Sequence, residues 1–313
     1  MNKETYFFSR LSAENVGELN TLHTAVYGKT VSFDLFPNKY DTRCTGAEYI
    51  GFIAHDKQAL PIAFYGVIPC FMLINGEKVL AAQSADTMTH PNHRNKGLFV
   101  QLAQLTYELC RIKTIRFLFG FPNQNSLPGF INKLGWQMTE TMDRFVIPVK
   151  TIPLERIAGK SAFFKRLYNA HKQKVLKKYL SYQKGIPGSV LADGFGGVLR
   201  DDNYLQYKSY SNTITLKIDA TTIWLKANKG LMIGDISVVG EDTFDHVMYK
   251  LVNITRKLGM DQIHFHISPG TRLHALFALR YDSATSFPAI FKDLDSGIAF
   301  DKIKFTFADI DIF

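Results

Sequence analysis

The chain has 313 residues, enough for one large domain or two of ordinary size, each able to bury a full core. Its 46% hydrophobic and 13% aromatic content suit a globular protein, and no apolar run reaches the ~20 residues of a membrane span. The three cysteines, Cys44, Cys70 and Cys110, lie far apart without CxxC spacing, which argues against a disulfide framework or a zinc site. The amino terminus lacks the apolar segment of a signal peptide, so a reducing cytoplasm is the expected setting. The net charge of +9 belongs to one segment, residues 150–184, with ten Lys or Arg and one acid, Glu155; the remainder holds 27 basic and 27 acidic residues.

Residues 6–9 predict a short strand. Ser12 can cap a helix over Val16, Leu19, Leu22 and Val26, with Glu14 and Glu18 near its positive end. The stretch 28–46, carrying Phe33, Leu35, Phe36 and Tyr40, predicts a long loop packed as a functional flap. Residues 49–55, 62–74 and 78–89 predict three antiparallel strands, turned by Asp56-Lys57-Gln58 and by Asn75-Gly76, a strong hairpin signal.

The third strand runs through Pro91-Asn92-His93-Arg94-Asn95-Lys96-Gly97-Leu98-Phe99 into a helix over 98–111, with Leu98, Leu102, Leu105 and Leu109 on one face. A strand that turns through Arg-x-x-Gly into a helix aims unpaired backbone N–H groups, the helix dipole and two basic side chains at one point. No acid lies between His90 and Tyr107, and the junction therefore predicts a diphosphate site. A strand over 115–121, a short helix over 125–134 ended by Gly135, and a strand over 138–149 follow. This order predicts a mixed sheet with helices on both faces and a ligand crevice near strand C-termini.

In the basic segment, Phe164, Tyr168, His171, Val175, Tyr179 and Tyr182 recur at helical spacing. The plain reading is a solvated amphipathic helix; attraction of an anion or contact with an anionic membrane are the alternatives. Strands are then predicted over 213–218, 222–227 and 231–238, a helix over 242–258, a strand over 262–267 and a helix over 269–280. Strands over 287–291 and 304–313 are expected to close the sheet. Leu258-Gly259-Met260-Asp261-Gln262-Ile263-His264-Phe265-His266-Ile267-Ser268 parallels Cys110-Arg111-Ile112-Lys113-Thr114-Ile115-Arg116-Phe117-Leu118-Phe119-Gly120, so the pattern of the first half returns. The second copy lacks Arg-x-x-Gly and places Glu241 and Asp242 at its helix start, where they would repel a phosphate.

The junction 91–98, followed by helix, strand, Asn125 and Lys133-Leu134-Gly135-Trp136, resembles the GNAT acyltransferase superfamily. The normal and degenerate pair resembles the tandem-GNAT enzymes of the enhanced-intracellular-survival type. The fold expected is thus α/β with a mixed sheet: a GNAT domain over 1–149 that binds acyl-CoA, a basic helical linker over 150–189 and a degenerate GNAT-like domain over 190–313. The resemblance implies acetyl-CoA as co-substrate and no metal. Its diphosphate would sit on Arg94, Asn95, Lys96, Gly97, Leu98 and Phe99, its pantetheine arm along Thr87, Met88 and Thr89, with Asn125 nearby.

An amine nucleophile must lose a proton, and Asp86, on the strand leading into the loop, is the first candidate base; a carboxylate that merely fixes a loop is the plain alternative. The family's usual Tyr proton donor falls on Ile131, which cannot donate, leaving Tyr107, Tyr65 or a water. The resemblance also implies a free C-terminal carboxylate as base, here on Phe313, against the plainer reading of a sheet-closing strand. His264 and His266 alternate on one strand without a nearby carboxylate and are read as ordinary strand histidines rather than metal ligands.

The function expected is acetyl transfer to a small amine, an amino sugar among the options, with no nucleic-acid partner. The alternatives are an aminoacyl-tRNA-dependent transferase of the peptidoglycan-bridge type and a non-catalytic acyl-CoA-binding protein.

Overall fold

A computed structural model describes residues 5–159, 161–237 and 239–313. Lys160 of the basic segment and Val238, the end of the strand expected over 231–238, lie outside the described residues. In chain order the elements are β1 (Phe7–Arg10), α1 (Glu18–Tyr27), α2 (Leu35–Tyr40), β2 (Ile50–His55), β3 (Pro61–Ile74), β4 (Glu77–Thr89), α3 (Leu98–Ile112), β5 (Phe117–Gly120), α4 (Leu127–Leu134) and β6 (Gln137–Pro148). They continue with α5 (Leu154–Ala158), α6 (Ala162–Leu176), α7 (Ser189–Ala192), β7 (Gly197–Val198), α8 (Asp202–Lys208), β8 (Ile214–Ile218), β9 (Thr221–Ala227), β10 (Leu231–Ile236), α9 (Glu241–Lys257), β11 (Gln262–Ile267), α10 (Arg272–Ala278) and β12 (Ser283–Asp293).

The chain forms two compact units. The first takes Met1–Glu140 and Pro288–Asp301, the second Thr141–Phe287 and Lys302–Phe313. In the first unit β1, β2, β3 and β4 pair antiparallel in sequence order, and β4 pairs parallel with β5. The neighbour of β5 on its other side is the end of β12, with Ile290 opposite Gly120 and Asp293 opposite Phe117. Leu98, Leu102 and Leu109 of α3 are buried in a core with Ile50, Tyr65 and Phe130, each such side chain contributing about 1.5–3 kcal/mol of burial.

In the second unit, residues 143–148 of β6 pair antiparallel with β11, β11 pairs parallel with β10, and β10, β9 and β8 continue antiparallel. The α9 stripe of Phe244, Val247, Met248, Leu251 and Ile254 is buried, as the helical spacing predicted. Both units are mixed α/β.

Three expectations are corrected. Strand 138–149 does not complete the first sheet, nor strand 287–291 the second: the last halves of β6 and β12 pair with β11 and β5 respectively. Period-two alternation fixes which face a strand buries but not which neighbour it pairs with. Residues 304–313 are not a strand. Thr306 and Asp309 form a reciprocal capping box around a single 3-10 turn, Phe307–Asp309, and this local carboxylate–amide bonding displaces ladder pairing. The long basic helix is two, α5 and α6, and Tyr179 and Tyr182 lie beyond the second.

Candidate active site

Two local irregularities of β4 create the site. The parallel pairing of β4 with β5 covers only Ala82–Leu118, Gln83–Phe119 and Ser84–Gly120; β5 ends there, while β4 runs on to Thr89. Past Ser84 the β5-facing edge of β4 is therefore left open. On the other side, Phe64 opposes Met88 and Gly66 opposes Ala85, so Asp86 and Thr87 together face Tyr65 alone. This is a β-bulge, a device that re-aims side chains next to a site. Asp86 adopts the left-handed conformation, φ 49°, which is uncommon for a residue with a Cβ.

Partners on the segment expected as a flap hold that conformation. It folds as α2, and the buried Lys39 Nζ lies 2.6 Å from Asp86 Oδ2, while the Tyr40 hydroxyl donates to the same oxygen at 3.0 Å. The flap is thus a clamp on the bulge.

Beyond β4, the chain passes through the turn Pro91–His93, capped by His90, whose Nδ1 accepts the Asn92 amide at 3.3 Å. Asn95 and Gly97 then take left-handed conformations, φ 62° and 80°, immediately before α3. The amides of Asn95, Gly97, Leu98 and Phe99 have no hydrogen-bond acceptor among the described residues. Alternating backbone handedness points successive N–H groups inward, and the helix dipole adds to them, which makes a ready anion cradle.

This cradle opens on a cavity of ≈ 630 Å³, within the usual range for small-molecule sites. Thr87, Thr89, Arg94, Asn95, Lys96, Gly97, Leu98, Phe99 and Asn125, all expected there, line it. Met88 does not; its side chain is 1% exposed in the core, so only its backbone faces the open edge of β4. Leu98 is equally buried and offers its amide. The Phe99 ring is packed 5.3 Å from that of Phe130 and 6.0 Å from that of Tyr65. The space it needs on α4 is left by Gly129, where a Cβ would stand 3.1 Å from the ring.

Sequence reasoning missed several lining groups. Tyr27, at the end of α1, faces the cavity, and burial followed by the nearby Asp86 charge raises its phenol above the ordinary value. His93 also lines the cavity, while His90 caps the turn that carries it. Asn123 also lines it; its Oδ1 accepts the amides of Asn125 and Ser126 at 2.9 and 3.1 Å. An Asn three residues before the N-cap Ser126 is the one signal that pointed there.

The other proposed acid–base groups lie elsewhere. Tyr107 is 6% exposed, its oxygen accepts the Trp136 indole N–H at 2.7 Å, and Tyr65 donates to it. Ser84 in turn donates to Tyr65 at 3.1 Å, so this hydroxyl chain reaches the fork of β4 and β5 through Ser84. Burial pushes the Tyr107 phenol up to about 12. Ile131 packs against the core of the unit. Phe313 belongs to the second unit, where its ring lies 5.4 Å from both Trp224 and Phe307 and closes over Gly234.

The second unit has the same fork with different contents. β10 and β11 share pairs only as far as Ile233–Phe265, and β10 carries its own bulge at that point. The space beyond holds the 3-10 turn Phe307–Asp309, which touches both strands. Thr306 bridges to Ile267, and Phe305 and Ser268 exchange bonds at 2.9 Å. Beneath the turn, the fully buried Arg200 bonds Asp235 at 2.6 Å, Asp309 at 2.8 Å and the Thr306 hydroxyl at 2.7 Å. His266 bonds Ser286 at 2.6 Å and stacks on Phe307 at 4.7 Å. Its burial lowers the imidazole to about 4, with the Arg144 charge adding to the effect. Among the described residues no three His, Cys, Asp or Glu side chains converge as a metal site, and no helix is long and apolar enough to cross a membrane.

A parallel fork with a bulged strand, followed by a helix whose N-terminal amides are unpaired, can hold an extended anionic ligand. Residues 8–139 match the family model of the acetyltransferase (GNAT) domain. Solved structures agree at the level of fold. A GCN5-related N-acetyltransferase from Kribbella flavida is 10% identical, with 94% of this chain and 72% of that one covered at a TM-score of 0.57. One from Anabaena variabilis is 12% identical over 93% and 73%, TM-score 0.57. A proposed acetyltransferase from Pyrococcus horikoshii is 10% identical over 99% and 95%, TM-score 0.58. No curated protein matches the sequence.

Proposed function

We propose that the protein transfers an acyl group, acetyl in the first instance, from acyl-CoA to the amine of a small acceptor. One observation carries this reading: the acceptor-less amides of Asn95, Gly97, Leu98 and Phe99 face a cavity bordered by the open edge of β4. In this reading the diphosphate of the cofactor takes those amides, with Arg94 and Lys96 supplying charge. The pantetheine arm runs along Thr87 to Thr89, using backbone groups that β5 leaves unpaired, and the thioester reaches the bulge.

There the neutral amine attacks the thioester carbonyl, the C–N bond forms, the C–S bond breaks, and the amine's proton must leave. Asp86 is the proposed acceptor of that proton, directly or through water, with Lys39 and Tyr40 fixing its direction. The thiolate leaves toward the fork, where Ser84 is the nearest member of the Tyr65–Tyr107 hydroxyl chain. Tyr27, which keeps its proton, is the second candidate donor. The Phe313 ring serves as a core group, and a catalytic part for its carboxylate remains a proposal of the family resemblance alone. The amine acceptor would be chosen by side chains outside the cofactor cavity.

Calorimetry with acetyl-CoA, followed by thiol release over a panel of amines, tests the reading. Binding that is lost in Arg94→Ala, with thiol release on at least one amine, supports it. Binding without release on any amine would leave a non-catalytic acyl-CoA binder. Absence of binding would remove the proposal.

A further inference from the structure

One concave feature of the second unit is used by nothing described so far. A cavity of ≈ 780 Å³ lies between α5, α6, the turn after β9 and the start of β11. Arg156, Lys165, Lys172, Lys226 and Lys229 line it, with Glu155 and Asp261 as the acids. Both acids are already engaged. Glu155 accepts the amides of Lys229 and Gly230 at 2.7 and 2.8 Å, and Asp261 pairs with Arg156 at 2.5 Å. Lys172 reaches only a neutral group, the Ala227 carbonyl at 3.3 Å. Lys165, Lys172 and Lys229 have no carboxylate within ion-pair distance among the described residues. Three like charges around one concavity repel each other and draw in an anion.

A second observation points the same way. Tyr168, on the α6 wall of this cavity, has a buried hydroxyl without any hydrogen-bond partner. A buried phenol left unpaired is costly, and such a group in a native fold calls for a partner. An apolar ligand would leave both the hydroxyl and the ammonium groups unsatisfied.

We propose that this cavity binds a small polyanion, one bearing two or more phosphate-type groups, independently of the acyl-CoA site. The volume suits a small molecule and excludes a nucleic-acid helix as its occupant. Lys165, Lys172 and Lys229 take the anionic oxygens, Tyr168 donates one bond, and the Asn169 and Asn228 amides can meet hydroxyls on the rest of the ligand.

The probes are inorganic pyrophosphate and tripolyphosphate, titrated calorimetrically into the full chain at low salt with coenzyme A present at saturation to occupy the loop 94–99. One site per chain is expected, weakened about tenfold in Lys172→Gln and further in Lys165→Gln/Lys229→Gln, and weakened by added salt. Tyr168→Phe gives the reading a structural role would not: it removes an orphan hydroxyl, so the ligand-free melting temperature holds or rises while pyrophosphate affinity falls. Arg94→Ala leaves this binding unchanged, so failure of the acyl-CoA reading and failure of this one are told apart. Pyrophosphate binding that ignores the Lys variants and Tyr168→Phe would overturn the proposal. So would absent binding, or preference for a tRNA fragment over both phosphates.

Discussion

The two units set the same fork of parallel strands to opposite ends. In the first, β4 outruns β5 past Ser84, a bulge at Asp86 is clamped by Lys39 and Tyr40, and four acceptor-less amides, Asn95, Gly97, Leu98 and Phe99, gather at the start of the next helix. In the second, β10 and β11 part in the same way, but the chain fills the gap with its own turn, Phe307–Asp309, locked by Arg200 between Asp235 and Asp309. Acids open α9 where Arg-x-x-Gly precedes α3. An open fork is a liability unless something occupies it, because its strand edges carry unpaired backbone groups. In the proposed reading one unit leaves that occupancy to a ligand, while the other satisfies it internally.

The contrast is most easily broken at Arg200. Arg200→Ala leaves Asp235 and Asp309 buried and facing each other without a cation, which costs about 3–5 kcal/mol. Urea denaturation should show that loss in the second unit. An unaltered midpoint would mean the lock holds nothing.

His266 comes next. Its folded-state value of about 4 lies below the unfolded 6.5, so the unfolded chain binds more protons between those limits and stability rises with pH there. The contribution is whole above pH 6.5, and acidification to pH 4 removes roughly 3 kcal/mol. His266→Gln should flatten that window in thermal melts taken across it. A slope equally steep in the variant would assign the acid sensitivity elsewhere.

In the first unit the expected effects on stability are smaller. Tyr107→Phe strips the Trp136 indole of its acceptor, a loss of about 1–3 kcal/mol. If Tyr107 also feeds the proton relay, thiol release falls by about 100-fold; a melting shift with kcat intact limits it to packing. Gly97→Ala is the mildest. At φ +80° a Cβ would meet only Gln101 Nε2 at 3.6 Å, so the cost is conformational, about 1 kcal/mol. Acetyl-CoA binding should nonetheless weaken about tenfold as the cradle amides turn away, and calorimetry reads this directly.

The loop that lines the first unit's cavity was legible because all of its determinants are local: Arg94, Lys96 and Gly97 stand within one turn of a leucine-striped helix. The partner exchange of β6 and β12 was not, since alternation carries no information about neighbours. Apolar spacing also misled at residues 304–313, where Asp309 caps its own turn instead of extending a strand. Lys39 and Tyr40 reach Asp86 across 46 or so positions of sequence, and Arg200 finds its partners 35 and 109 positions away. No spacing rule announces such meetings, which only the tertiary fold makes. The acids that open α9, Glu241 and Asp242, were readable in the sequence; what fills the second unit's fork was not.

In the proposed reading one fork is open to a cofactor and the other is closed by the chain. Acetyl-CoA stoichiometry measured by calorimetry tests it most directly. One site per chain is predicted, abolished by Arg94→Ala and preserved in Lys172→Gln. Two sites per chain, or one site indifferent to Arg94, would contradict it.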